Sequence, residues 1–186
     1  TVGAGRGSGI TAEGDRGLFP GAIERCRGIV GRLAGHSLPD RRRVGPVRGD
    51  YRSAYEWGAL ALRVNERLGD RKGRARVEQQ FNAHVNLWRQ PLQTCIPHDR
   101  EACRSGLETG DFTYAGYGAF TETWAALLTS NDLGRFVRDY TPTVALLERI
   151  RRTSLAAAQQ LFLGWGRALQ GQTESPLSLS HAGFDE

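Results

Sequence analysis

Gly69-Asp70 closes one apolar-striped segment and Gly110-Asp111 closes another about forty residues later, each followed at once by a new amphipathic stretch. A third pair, Gly49-Asp50, opens the first stripe. Ala61-Leu62 and Ala102-Cys103 stand at matching distances ahead of their Gly-Asp. Self-similarity at this period, with two helices per period, is the pattern of helical-repeat arrays. In these no helix pair buries its own apolar face, and neighbours stack into one continuous core. The spacing therefore predicts an all-α chain of antiparallel helix pairs, and a scaffold or interaction surface rather than a pocket enzyme.

Apolar periodicity places the elements. Tyr51, Ala54, Tyr55, Gly58, Ala61, Leu62, Asn65 and Leu68 trace one helix face ending at Gly69, a left-handed stop that suits glycine. A second helix is expected over 73–89, with Val77, Phe81, Val85 and Trp88 inward, and ends before Pro91. A third covers 95–109, starting near Pro97, with Cys103 and Leu107 as its apolar side. The fourth, 112–130, is rich in aromatics, and Tyr114, Tyr117, Phe120 and Trp124 read as a core row, with a ligand groove as the second reading. Ser130-Asn131-Asp132 is a turn carrying good capping residues ahead of a fifth over 133–152, which Pro142 should kink or restart. Thr153 is placed to cap a sixth, closed by Gly171. Small residues at close helical spacing, Ala54, Gly58 and Ala61, then Ala115, Gly116 and Ala119, would let paired helices approach closely.

Residues 1–47 read differently. They hold 11 of the 24 glycines and the run Arg41-Arg42-Arg43, so little is left to form a core. The stretch from Pro20 to Leu38 is a weak helix candidate, with Gly28, Gly31 and Gly35 each costing about 1 kcal/mol against Ala. This head is expected to be poorly ordered or extraneous. Residues 48–171 are then the helical domain and 172–186 a linker toward a following domain. A start at Thr1 and the absence of methionine read as a piece of a longer polypeptide.

Composition limits the classes. No apolar run approaches the ~20 residues that span a bilayer. Cys26, Cys95 and Cys103 cannot make a full disulfide framework, which points to a reducing, cytoplasmic compartment. The net charge of +5 is almost all arginine, since Lys72 is the sole lysine.

The string from Gly49-Asp50-Tyr51 through Ala54 and Ala61-Leu62 resembles the second helix of a tetratricopeptide repeat. The longer stretch GDYRSAYEWGALALRVNERLGDRKGRARVEQQFNAHVNLWRQPL is similar to the helical-repeat region of large bacterial multidomain signalling proteins, as are LETGDFTYAGYGAF and LQGQTESPLSLSHAGFDE. In that family a serine/threonine-kinase-like domain and an AAA-type predicted ATPase precede the repeats, and a GAF sensor domain and often a histidine kinase follow. The likeness covers 49–186 and carries no catalytic motif. It implies a tetratricopeptide-like α-solenoid fragment from an ATP-using signal-transduction kinase. Such a connector has protein partners or neighbouring domains of its own polypeptide.

Chemical-looking features have plainer readings. The glycine run from Gly3 to Gly9 lacks the strand, helix and Gly-Lys-Ser/Thr of phosphate-binding loops. Cys95, His98 and Cys103, with His84, lack the two tight pairs of a zinc site. His98 with Asp99 and Glu101 suggests acid–base chemistry, but first-turn acids favoured by the helix dipole explain them. Glu148 with Arg151 and Arg152 reads as a solvated face. No catalytic, cofactor-binding or metal residue is assigned, and no cofactor is expected. Two basic patches, Arg41-Arg42-Arg43 with Arg48 and Arg52, and Arg71-Lys72-Arg74-Arg76, support a nucleic-acid-binding module as the second reading. Interspersed Asp40, Asp50, Glu56, Asp70 and Glu78, and the lack of a base-reading motif, weigh against nucleic acid.

Overall fold

The computed structural model describes residues 50–175, 177–181, 184 and 185. The expectations for 1–47, with the Pro20–Leu38 helix, Cys26 and the Arg41-Arg42-Arg43 patch, lie outside the described residues. The described chain is all-α. Its helices are α1 (Tyr51–Arg67), α2 (Arg71–His84), α3 (Cys95–Thr109), α4 (Phe112–Thr129), α5 (Leu133–Arg149) and α6 (Thr153–Ala168). Among the described residues there is no strand, only an isolated bridge between His181 and Phe184.

The Gly-Asp pairs have a mechanical meaning. Gly69 and Gly110 take left-handed φ values of 60° and 79°, which glycine adopts without a Cβ penalty. Each aspartate then caps the helix that begins after it. Asp50, Asp70, Asp111 and also Asp132 accept from the backbone N–H three residues on, at 3.1, 3.0, 3.3 and 2.8 Å. At the end of α1 the Gly69 N–H reaches the Glu66 carbonyl and the Asp70 N–H the Asn65 carbonyl, which closes a Schellman motif. Arg151, at φ 58°, closes the end of α5 with the same pair of bonds.

Several boundaries differ from expectation. The second helix stops at His84 and continues as a short 3-10 turn, Asn86–Trp88. Trp88 is therefore not inward but 53% exposed, stacked on Tyr51 at 5.7 Å. The third helix begins at Cys95, out of a 3-10 turn over Leu92–Thr94, rather than at Pro97. α5 runs through Pro142, which lies on its exposed side beside Thr141, where loss of one N–H leaves no buried carbonyl stranded. Thr153 is the first residue of α6, and Arg152 precedes it without a side-chain cap.

Each helix packs against the next in the chain. Gly58 of α1 meets Phe81 and Val85 of α2. Arg71, Arg74 and Glu78 of α2 reach Glu108, Glu101 and His98 of α3 in reverse order. Asp99 of α3 bonds Thr121 of α4, and Gly106 of α3 abuts Ala115. Gly166 of α6 faces Phe136 of α5. The even-numbered helices also touch one another, α2 with α4 and α4 with α6. Gly116 against Arg152 and Leu155, and Thr123 against Gln159, show that α4 and α6 run parallel.

The largest core joins α4, α5 and α6 through Ala119, Leu127, Phe136, Leu147 and Leu163 among others. A smaller one at the other end holds Ala54, Phe81 and Val85. Helix α4 is central, and its backbone is gripped on several sides. A Cβ added to Gly118 would stand 2.6 Å from the Asp99 carbonyl oxygen and 2.8 Å from the Cys103 nitrogen. These are backbone atoms that cannot rotate away. Gly118→Ala should thus cost ~1–3 kcal/mol by overpacking. Thermal unfolding followed by circular dichroism would read it, and an unchanged midpoint would mean that α3 and α4 lie farther apart.

The last residues do not simply lead away. Leu179 lies against Gly164 of α6, and His181 Nε2 is 2.7 Å from a guanidinium nitrogen of Arg167. Much of the expected linker thus packs on α6.

Candidate interaction face

The residues singled out for chemistry do not converge. His98 Nδ1 meets Glu78 Oε2 of α2 at 2.7 Å, and Glu101 holds Arg74 of α2 at 2.6 Å. Asp99 instead turns into the seam with α4, 1% exposed, where its Oδ1 accepts from the Thr121 hydroxyl at 2.7 Å. The three side chains that could have formed an acid–base set therefore tie α3 to two different helices. Cys95 and Cys103 are two turns apart on α3. Burial, first of all, pushes both thiols up to about 11, so they stay protonated at neutral pH. Among the described residues no three His, Cys, Asp or Glu side chains are grouped to hold a metal ion.

Asp99 is the residue that sequence reasoning misplaced. Expected as a solvated first-turn acid, it sits in a buried polar cluster with Asn82, Asn86 and Cys95. Asn86 Nδ2 donates to Asn82 Oδ1 and Thr94 Oγ1 at 3.1 and 3.0 Å. The second Asp99 carboxylate oxygen, Oδ2, has no partner. Burial pushes this carboxyl up to about 7, and hydrogen bonds from Thr121 and Asn82 oppose the rise only in part. The signal available in the sequence was its place one turn after Cys95, on the side of α3 that carries Ala102 and Gly106.

The second basic patch is largely committed within the protein. Arg71 pairs with Glu108 at 3.3 Å, Arg74 pairs with Glu101, and the Arg76 guanidinium lies 5.0 Å over the Tyr114 ring. Arg52 of the first patch pairs with Glu56. Among the described residues, little of this charge is arranged as a phosphate-tracking groove.

What the fold does present is an open aromatic face. The row Tyr114, Tyr117, Phe120 and Trp124 was expected to be core. Instead the interior side of α4 is made of Ala115, Ala119 and Ala126, and the opposite side holds Tyr117, Trp124 and Leu128. Tyr117 and Leu128 are 41% and 49% exposed. Helix α4 is in contact with α2, α3, α5 and α6, and apart from Leu127 its buried side chains are small. Of the expected row, Tyr114, Phe120 and Trp124 are half-buried and Tyr117 is exposed. On the neighbouring α6, Leu161, Trp165 and Leu169 recur one turn apart and are all exposed. Between the two helices the rings of Phe120 and Phe162 stack at 5.1 Å. The stack of Phe120 on Phe162 joins two helices that carry exposed apolar residues, Tyr117 and Leu128 on α4 and Leu161 and Trp165 on α6.

Charge on this layer is one-sided. Within α2, α4 and α6 the only carboxylates are Glu78 and Glu122. Both turn away from the open face, Glu78 to His98 and Glu122 to Arg100 and Tyr140. Lys72 and Arg76 on α2 remain exposed. No helix among the described residues is long and apolar enough to cross a membrane. No protein-family model, curated protein or solved structure matches the chain.

Proposed function

We propose that this chain is a non-catalytic helical-repeat connector from a bacterial ATP-dependent signalling kinase, joining an upstream ATPase module to downstream sensor and histidine-kinase modules. The helix pairs form a tetratricopeptide-like array, with α2, α4 and α6 as the inner, closer-set layer and α1, α3 and α5 as the outer one. The observation that carries the reading is the open face of α4 and α6. Exposed apolar surface grouped on one side, and rimmed by polar residues, is what an interaction surface needs and what a free-standing surface avoids. Mutual contact within the even-numbered layer supports a concave side there, the side that helical arrays offer to partners. Kinase and ATPase residues belong, on this reading, to other parts of the parent protein.

The test uses the parent polypeptide and the paired variant Leu161→Ser, Trp165→Ala. Both side chains are about half exposed, so the helical signal should persist and the loss of stability should stay below about 1 kcal/mol. Association of the separately expressed flanking modules through this chain should be lost. Unchanged association by the folded variant would overturn the reading.

A further inference from the structure

We propose that Asp99, Thr121 and the Tyr117 carbonyl form a proton-operated switch in the seam between α3 and α4, closed while Asp99 carries a proton and loosened when it does not. The switch does not depend on what the chain binds. Thr121 Oγ1 lies 2.7 Å from Asp99 Oδ1 and 2.8 Å from the Tyr117 carbonyl oxygen, with the Gly118 carbonyl farther off at 3.4 Å. A hydroxyl has one proton to donate, so it cannot satisfy both near oxygens. A protonated Asp99 supplies the missing one: its O–H donates to Thr121, and Thr121 donates to Tyr117. The side chain of α3 is then tied through Thr121 to the backbone of α4.

Ionisation undoes this chain. A carboxylate only accepts, so it takes the Thr121 proton and the Tyr117 carbonyl loses it. The second oxygen, Oδ2, has no partner, and Asp99 is 1% exposed. A buried carboxylate with a bare oxygen is unfavourable, and water reaching Oδ2 relieves it by parting the two helices. The proton leaves to solvent and returns from it, so no other reactant is needed. Burial pushes the carboxyl up to about 7, which sets the change within the neutral range.

Most charges around Asp99 are already committed. From α2, Glu78 meets Arg74 at 3.8 Å and His98 at 2.7 Å. On α4, Glu122 is held by Arg100 and by Tyr140 of α5, whose hydroxyl burial pushes up to about 12. On α3 itself the Cys95 and Cys103 thiols are pushed up to about 11, chiefly by burial, and stay protonated. His98 is the remaining titratable neighbour. Tyr117 links the switch to the open face, since its carbonyl ends the chain and its ring is 41% exposed. Gly118 beside it lies against the Asp99 carbonyl and the Cys103 nitrogen, so a shift in the seam is felt by this stretch of α4.

The experiment titrates the 186-residue chain from about pH 5 to pH 9 by NMR, with isotope-labelled aspartate carboxyl and backbone carbonyl carbons. The Asp99 carboxyl signal should titrate in the neutral range, and the Tyr117 carbonyl signal should move with it. Amide exchange over 99–103 and 117–121, corrected for its intrinsic pH dependence, should speed up at least about tenfold from pH 6 to pH 8. Asp99→Asn should abolish the Tyr117 and exchange responses, and His98→Gln should leave them. Thr121→Val, which removes the hydroxyl, should uncouple the Tyr117 signal from the Asp99 titration. Thr121→Ser, which keeps it, should preserve the coupling.

An Asp99 signal that stays flat across the range, ionised or protonated throughout, would overturn the proposal. So would a Tyr117 signal that ignores the titration, or that follows it equally in Thr121→Val. Amide exchange without a pH response would mean that the seam holds the carboxylate while closed, and would overturn it as well. A response that survives Asp99→Asn, or that vanishes in His98→Gln, would give the titration to the histidine and likewise overturn it. Should Thr121→Val fail to fold, the wild-type signals and Asp99→Asn decide alone.

Discussion

Phe81→Ala should destabilise the fold by ~3–5 kcal/mol, the range for truncating a buried large side chain and leaving a cavity. Phe81 is 2% exposed, lies 5.5 Å from the Tyr55 ring and meets the His98 ring edge-on at 5.2 Å. It also fills the space that glycine leaves at position 58, where a Cβ would stand 2.6 Å from the ring. One ring therefore joins α1, α2 and α3. The small cluster around it contains Ala54 and Val85 as further buried members, with Tyr55, Ala59 and Leu62 packed against it. Urea unfolding monitored by circular dichroism checks the value. A loss below about 1 kcal/mol would show that α1 does not pack on this ring.

Asp99→Asn should make the protein more stable at pH 8, progressively less so as pH falls, and leave it little changed only below 3.8. Burial raises the folded-state carboxyl from 3.8 to about 7, helped by the charge of Glu122, while bonds from Thr121 and Asn82 and the proximity of His98 pull it down. A raised folded value means that the native state binds the proton more tightly than the unfolded chain. The contribution to stability is full below 3.8 and is lost as pH rises through about 7. At pH 8 the wild-type protein therefore holds an ionised carboxylate in the α3–α4 seam, with Oδ2 lacking any partner. The amide never ionises, so the variant should gain on the order of 4 kcal/mol there at most. Denaturant midpoints measured from pH 5 to pH 8 should fall for the wild type and stay flatter for the variant. Parallel curves would mean that Asp99 is solvated.

The helical class, the number of helices after residue 50 and the left-handed stop at Gly69 were legible because they are local. A left-handed glycine followed by a capping aspartate is written in adjacent residues. So is the 3.6-residue stripe of α1, whose buried members Ala54, Gly58, Ala61 and Asn65 match the expected face. The open face was not legible, for a physical reason. Hydrophobicity marks residues that prefer burial, but the room available to bury them depends on how many helices surround the one that carries them. Helix α4 is in contact with α2, α3, α5 and α6, and apart from Leu127 its buried side chains are small, Ala115, Ala119 and Ala126 among them. Tyr117 is exposed, with Phe120 and Trp124 half-buried. The close spacing of Ala115, Gly116 and Ala119 did predict tight approach. Following it through would have moved Tyr117 to the surface and left Tyr114, Phe120 and Trp124 half-buried.

Trp88 and Asp99 were misplaced by the same kind of limit. Trp88 follows a helix that ends at His84, earlier than the stripe suggested, and the 3-10 turn rotates it outward. Asp99 looks polar and hence exposed, yet its neighbours in space, Asn82, Cys95 and Thr121, come from three different helices. Only the packed arrangement brings them together, so no single window of sequence contains the cluster.

The most direct test of the scaffold account is a photo-crosslinking scan in the intact parent protein. A benzophenone amino acid is placed singly at positions 117, 124, 128, 161 and 165 of the open face, and at 63, 104 and 148 of α1, α3 and α5. The account predicts crosslinks to neighbouring domains or a partner protein from the open-face positions, and none above background from the outer three. Crosslinks from the outer helices alone, or from both sets equally, would contradict it.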